Sequence, residues 1–319
     1  MTVFIIALCA AAVLLLSAVP GYLIMKSGKV SKGCIADMSK VLLYVTQPAL
    51  AVYTFSKCEF SWQFMKEIGL FALVCLVVNL IMLGGSYLVL KRKYDNPLYR
   101  IVTIATTFGN CAFFGIPILE ALFPETSGGL IIYTTIYAIM MNIIGWTLGM
   151  GIISGSLKTI TAKKVFLNPA MMGLILGLIT LIFDISFIFT VNGGEFTLLL
   201  DTITLMGRMS TPLSMIIMGM RLATMRLKDV FCNPTAYLTV AVKQLVMPLL
   251  AFALLFLAPL DAEVKQTFLV ISACPVASVV LNYAEIVGEG QKEGATMFLL
   301  GTILSVLTLP VAVLLLPLL

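Results

Sequence analysis

The sequence predicts an all-α polytopic membrane protein of ten helices in two inverted five-helix halves, and three observations carry that prediction. The first is composition: 61% of the 319 residues are hydrophobic, 11% are charged, and mean hydropathy is +1.09. A water-soluble domain of this length needs more charge to cover its surface, so lipid must solvate much of it. The second is the placement of the basic residues, and the third is a polar loop that divides the apolar segments five and five.

Roughly 20 apolar residues cross a bilayer. Apolar runs between charged or Gly/Pro-rich breaks place helices near 2–25, 36–56, 65–90, 99–119, 128–153, 168–190, 207–224, 234–258, 263–286 and 293–318. The first run is read as a retained helix: no basic residue precedes it, Lys26 and Lys29 follow it, and its length exceeds a usual signal core. The break after Phe187, with Asn192-Gly193-Gly194-Glu195, leads into an amphipathic stretch ending at Met209. That stretch is either an interfacial segment or the start of the seventh helix.

Charge tests the segment list. One set of alternating loops holds Lys26, Lys29, Lys32, Lys40, Lys91, Arg92, Lys93, Arg100, Lys158, Lys163, Lys164, Arg221, Arg226, Lys228 and Lys292, fifteen in all. The other set holds four, Lys57, Lys66, Arg208 and Lys265. Cytoplasmic loops are enriched in Lys and Arg, which places both termini outside the cytoplasm. The net charge of +5 therefore reflects topology, and no nucleic-acid partner is expected. The cysteines Cys9, Cys34, Cys58, Cys75, Cys111, Cys232 and Cys274 show no paired spacing and read as small packing residues, so no metal site is expected.

The chain halves at the loop Ser154 to Lys164, giving repeats 1–155 and 165–319. Five is odd, so two five-helix halves have opposite orientation, as in transporters built from inverted repeats. Gln47-Pro48 in the second helix is echoed by Thr211-Pro212 in the seventh. The fourth helix carries a polar, Pro-interrupted stretch from Phe108 through Gly109, Asn110 and Gly115 to Pro117. The ninth carries Cys274-Pro275-Val276-Ala277-Ser278, followed by Asn282 and Tyr283. Proline removes a backbone donor, and the freed groups are tolerated in a membrane only where they face protein or a polar cavity. Matched breaks point to a substrate site at midplane. The alternative is that Pro117 and Pro275 merely kink packed helices.

At these residues the chain resembles the auxin efflux carrier family, the bacterial carriers and plant auxin exporters within the bile-acid/arsenite/riboflavin-type transporters. The residues concerned are Gly109-Asn110 to Pro117, Cys274 to Ala277 with Ala284, Lys164 to Gly173 with Asn168-Pro169, and Ile303 to Pro310. The resemblance implies fourth and ninth helices that are broken and cross near the midplane. It further implies a scaffold from helices 1, 2, 6 and 7, often dimeric, and a transport domain from helices 3–5 and 8–10. It implies small organic anions as substrates, from malate-like carboxylates to indole-3-acetate, and, for a bacterial relative, the inner (plasma) membrane. The chain departs from the family pattern at Val279 and Val280, where many relatives have an amide and a second proline; the nearest amide is Asn282.

A carboxylate substrate needs donors. Two half-helix N-termini supply N–H groups and partial positive charge. Asn110 adds an amide, and Gly109 and Gly115 allow close approach to the backbone. The alternative for Asn110 is an interhelical hydrogen bond. Pro117, Pro275, Ser278 and Asn282, with the in-span amides Gln47 and Asn142, complete the expected substrate site. Lys243, deep in the eighth helix, is a functional candidate because an intramembrane cation is expensive. It is placed to neutralise carbonyl ends at the crossing in place of sodium, to attract the anion, or to titrate. Glu120 and Glu285 read as interfacial, with a proton relay as the other possibility. Coupling to H+ or Na+ stays open, and no cofactor is expected.

The rival readings are a cation/proton antiporter or sodium-coupled symporter of related fold, a channel, and an intramembrane enzyme. The antiporter needs midplane carboxylates that the spans lack. A channel has less use for repeated broken helices. HExxH chemistry is impossible without histidine, and no glycine-framed serine accompanies Lys243.

Overall fold

A computed structural model describes residues 2–56, 61–155, 169–183 and 198–319. Lys57, Cys58, Lys158, Lys163, Lys164, Asn168, Asp184, the Asn192 to Glu195 turn and the boundary between the two halves lie outside the described residues. In chain order the helices are α1 (Thr2–Lys26), α2 (34–55), α3 (Trp62–Lys93), α4 (Pro97–Ala105), α5 (Cys111–Leu122), α6 (Ser127–Ser154) and α7 (Pro169–Ile182). They continue with α8 (Leu198–Arg208), α9 (Ser210–Thr224), α10 (Pro234–Leu255), α11 (Ala262–Ser272), α12 (Ser278–Val287) and α13 (Gln291–Leu318). Among the described residues, five helices are long and apolar enough to cross a membrane: α1, α3, α6, α10 and α13. Large apolar side chains such as Leu16, Val89 and Leu257, the last 82% exposed, point outward as they would toward lipid.

Local sequence sets the helix ends. The Ser61 hydroxyl accepts from the Phe64 N–H at 3.1 Å and opens α3. Asn96-Pro97 and Asn233-Pro234 open α4 and α10: each Asn side chain accepts a first-turn N–H, while proline fills a position that needs no donor. Gly155 and Gly288, at φ +66° and +85°, end α6 and α12 in the left-handed conformation.

The fourth segment, placed over 99–119 and expected to be broken, is the two helices α4 and α5; the ninth, placed over 263–286 and likewise expected to be broken, is α11 and α12. The amphipathic stretch ending at Met209 is the start of the seventh helix. α8 and α9 share a hydrogen-bond ladder, with the Met209 N–H donating to Leu205 O and the Leu213 N–H to Met209 O. α13 is regular to Ala312 and then tightens into a 3-10 helix at Val313–Leu318.

Two groups of helices are distinguishable by how they pack. In one, α1 crosses α9 at Gly21 and Gly219, where backbones touch: a Cβ on either glycine would overlap the carbonyl of Ile216 or Ala18. α7 and α8 lie along α2 by the same device at Gly173 and Gly207. The other group is held by larger side chains. Phe71 of α3 packs on Tyr133 of α6, whose hydroxyl donates to Glu67 at 2.7 Å, and Tyr137 packs edge-on against Phe268 of α11. α1 also lies against α13 and α5, joining the groups.

Candidate functional site

The two broken segments meet at their breaks. The Asn110 N–H donates to Pro275 O at 2.7 Å and the Ala277 N–H donates to Phe108 O at 2.9 Å. Gly109 and Val276 thus face each other in an isolated antiparallel bridge, and each segment satisfies the backbone groups the other leaves open. α4 and α11 arrive at this point with their carbonyl ends. α5 and α12 leave it with their N–H ends.

Lys243 sits at the carbonyl ends. It is fully buried, and its Nζ donates to Ser272 O, in the last turn of α11, at 2.7 Å. A cation there opposes the negative end of the helix dipole and satisfies a carbonyl with no intrahelical partner. Among the described residues it has no carboxylate within 4 Å. Gly109 makes room for it, since a Cβ there would lie 3.0 Å from Nζ and 3.1 Å from Cε. The neighbouring Gln244 ties α10 to α13, with Nε2 donating to Gly301 O and Oε1 accepting from the Thr308 hydroxyl, both at 2.7 Å.

The other side of the bridge opens into a cleft of about 40 Å³, room for one or two waters. It brings together Gln47 of α2, Gly109 and Asn110 at the first break, Asn142 of α6, and Ser278 and Asn282 of α12. Asn110 is 4% exposed, and its Nδ2 has no hydrogen-bond partner. Asn142 Nδ2 donates to Ala138 O of its own helix at 2.8 Å. Among the described residues no Asp or Glu lines the cleft.

The remaining expected residues lie elsewhere. Pro275 contributes the carbonyl of the bridge, and Gly115 is packed so that a Cβ would lie 3.2 Å from the Cys274 sulfur. Pro117 lines a second cavity, of about 330 Å³, together with Tyr53, Glu120, Arg208 and Thr211. That cavity lies about one helical turn further along the same two helices. α2 presents Leu43 and Gln47 to the cleft and Leu50 and Tyr53 to the cavity, while α5 presents Phe113 to one and Ile116, Pro117 and Glu120 to the other. Sequence reasoning missed Leu43 and Met141 in the cleft wall, which carry no signal beyond apolarity. Val279, noted in the sequence as a departure from the family pattern, lines the cleft beside Asn282.

Broken helices interlocked inside an apolar helical body, with polar groups gathered at the breaks, define a multi-pass membrane transporter. The chain belongs to the membrane transport protein family, the auxin efflux carrier-like group, whose pattern it matches over residues 6–313. No curated protein matches it.

Proposed function

We propose that the protein is a secondary active carrier for a small organic anion, a mono- or dicarboxylate. The observation that carries this reading is the Asn110 amide. A buried donor without a partner, in a cleft at the N-terminal ends of α5 and α12, suits a ligand oxygen, and no carboxylate in the lining competes for it. The same lack of carboxylates disfavours a cation/proton antiporter, which must offer its ion an anionic group.

In this reading the chain makes ten spans in two inverted repeats, with both termini outside the cytoplasm. The scaffold is α1, α2, α7, α8 and α9; the remaining helices carry the crossing and slide against it in an elevator movement. The close packing of the scaffold helices at glycines supports that division. Lys243 compensates the carbonyl ends at the crossing, the place where a coupling cation would otherwise sit, so transport proceeds without bound sodium. The carrier is a homodimer through its scaffold, in a bacterial inner membrane.

The test is exchange in proteoliposomes with a panel of labelled carboxylates. The expected result is saturable carboxylate movement that persists without sodium. Cation movement with no carboxylate movement would refute the assignment.

A further inference from the structure

Arg208 and Arg221 both lie on the seventh segment, one near its middle and one near its end. Arg208 ends α8 and Arg221 lies in the last turn of α9, roughly 20 Å apart by helical rise. Each has a glutamate near the far end of a crossing half-helix on its own side: Glu120 on α5 for Arg208, and Glu285 on α12 for Arg221. The two arrangements are alike in chemistry and different in state.

On the Arg221 side the pair is closed. Nη1 lies 2.9 Å from Glu285 Oε1, the arginine side chain is only 14% exposed, and the contact joins α9 to α12. On the Arg208 side the pair is open. Arg208 and Glu120 line the 330 Å³ cavity together, yet among the described residues neither makes an ion pair within 4 Å. Arg208 instead donates from Nη2 to the Tyr53 hydroxyl at 3.3 Å, its guanidinium 5.7 Å from the ring centre. This cavity lies about one helical turn from the Asn110 cleft along α2 and α5.

We propose that Arg208 and Arg221 are carboxylate exchange posts at the two mouths of the cleft: each is held by its glutamate when its mouth is shut and receives the substrate's carboxylate when its mouth is open. The inference rests on the carrier reading above and adds to it the residues that admit the anion. Guanidinium matches a carboxylate in bidentate geometry, so glutamate and substrate compete for the same donors. Among the described residues of the cavity wall, Tyr53, Thr211 and Glu120 are the polar side chains beside Arg208, and Arg208 is the cation an anion would meet there. The Arg100–Glu289 pair, at 3.6 Å, joins the start of α4 to the turn after α12. Both partners belong to the moving unit, so this contact travels with it and does not gate.

Two measurements test the proposal. Spin labels at Leu227 and Ile286, both exposed and beside the Arg221 mouth, report its opening in proteoliposomes. Glu285→Gln is expected to raise the long-distance population at least threefold and Glu120→Gln to lower it; the exchanged pair Arg221→Glu with Glu285→Arg restores the original ratio. Two distances whose ratio ignores both Gln variants overturn the exchange posts and leave the carrier reading standing. A single distance in every variant overturns the moving-domain reading itself. The second measurement is exchange of labelled malate and indole-3-acetate. Arg208→Gln is expected to raise KM about tenfold with kcat within twofold, and Arg208→Lys, which keeps the charge and loses the bidentate fork, to recover part of the loss. An unchanged KM removes Arg208 from the path, and exchange of neither probe overturns the carboxylate reading beneath it.

Discussion

Asn110 and Lys243 lie on opposite sides of one backbone bridge, and their chemistry predicts opposite results on substitution. The Asn110 Nδ2 has no partner, so Asn110→Ala removes a donor that the empty protein does not use. We expect the thermal midpoint of the purified protein to hold within a few degrees. Substrate affinity is expected to fall by about 10- to 150-fold, the ~1.5–3 kcal/mol of a hydrogen bond to a charged group. Unchanged affinity in equilibrium binding would move the site away from this residue. Lys243 is a buried cation that among the described residues has only a carbonyl partner. Its desolvation costs several kcal/mol. Lys243→Gln keeps a donor for Ser272 O and removes the charge, so the unfolding midpoint should stay level or rise while exchange acquires a dependence on sodium or on pH. If the ion and pH profile of the variant matches the parent, Lys243 is a packing residue.

Among the elements, α10 shows how a proline shapes a polar position. Val242–Val246 forms a π turn that holds Lys243 and Gln244 and ends two residues before Pro248. The same spacing recurs before Pro48 and Pro117, after the π turns Leu42–Thr46 and Cys111–Gly115. Proline has no N–H for the carbonyl four residues back, and the ladder widens upstream. Pro248→Ala should restore the regular ladder and rotate Lys243 and Gln244 out of register with Ser272 and Gly301. Exchange is then expected to drop at least tenfold with modest loss of stability, and a wild-type rate would sink this account.

These prolines, with the long apolar runs, are the part of the fold that was legible in sequence. A span announces itself by length, and a proline by the donor it lacks. The partners of the polar residues were not legible. Lys243 binds a backbone carbonyl on another helix, and every residue type supplies a carbonyl. For the same reason Pro275 and Gly115 read as ligands although one serves the bridge through its backbone and the other is packing. Glu120 and Glu285 read as interfacial charges because only the fold brings arginines from the seventh segment beside them. The stretch ending at Met209 left two readings open, an interfacial segment or the start of the seventh helix, because both share its amphipathic pattern.

For the molecule as a whole, the seam between α1 and α9 is the contact most sensitive to size. At Gly21 and Gly219 the backbones leave no space for even a methyl group. Gly219→Leu must push the helices apart, at a cost of at least about 1–3 kcal/mol. The expected outcome is a lower unfolding midpoint in detergent and, if the scaffold also carries the dimer, a shift toward monomer on sedimentation. An unshifted midpoint would mean that the seam adds little to stability.

The bridge between Gly109 and Val276 also constrains how the protein is made. Its two strands are more than half the chain length apart, so the first break is synthesised and delivered to the bilayer long before its partner exists. Until then Phe108 O and the Asn110 N–H lack their partners from the ninth segment, and backbone groups left open in hydrocarbon are costly. The fourth segment must therefore wait at the insertion machinery, or in contact with water, until the ninth emerges. Truncation anywhere before Ala277 would leave a nascent chain that inserts its early helices and remains a substrate for membrane quality control.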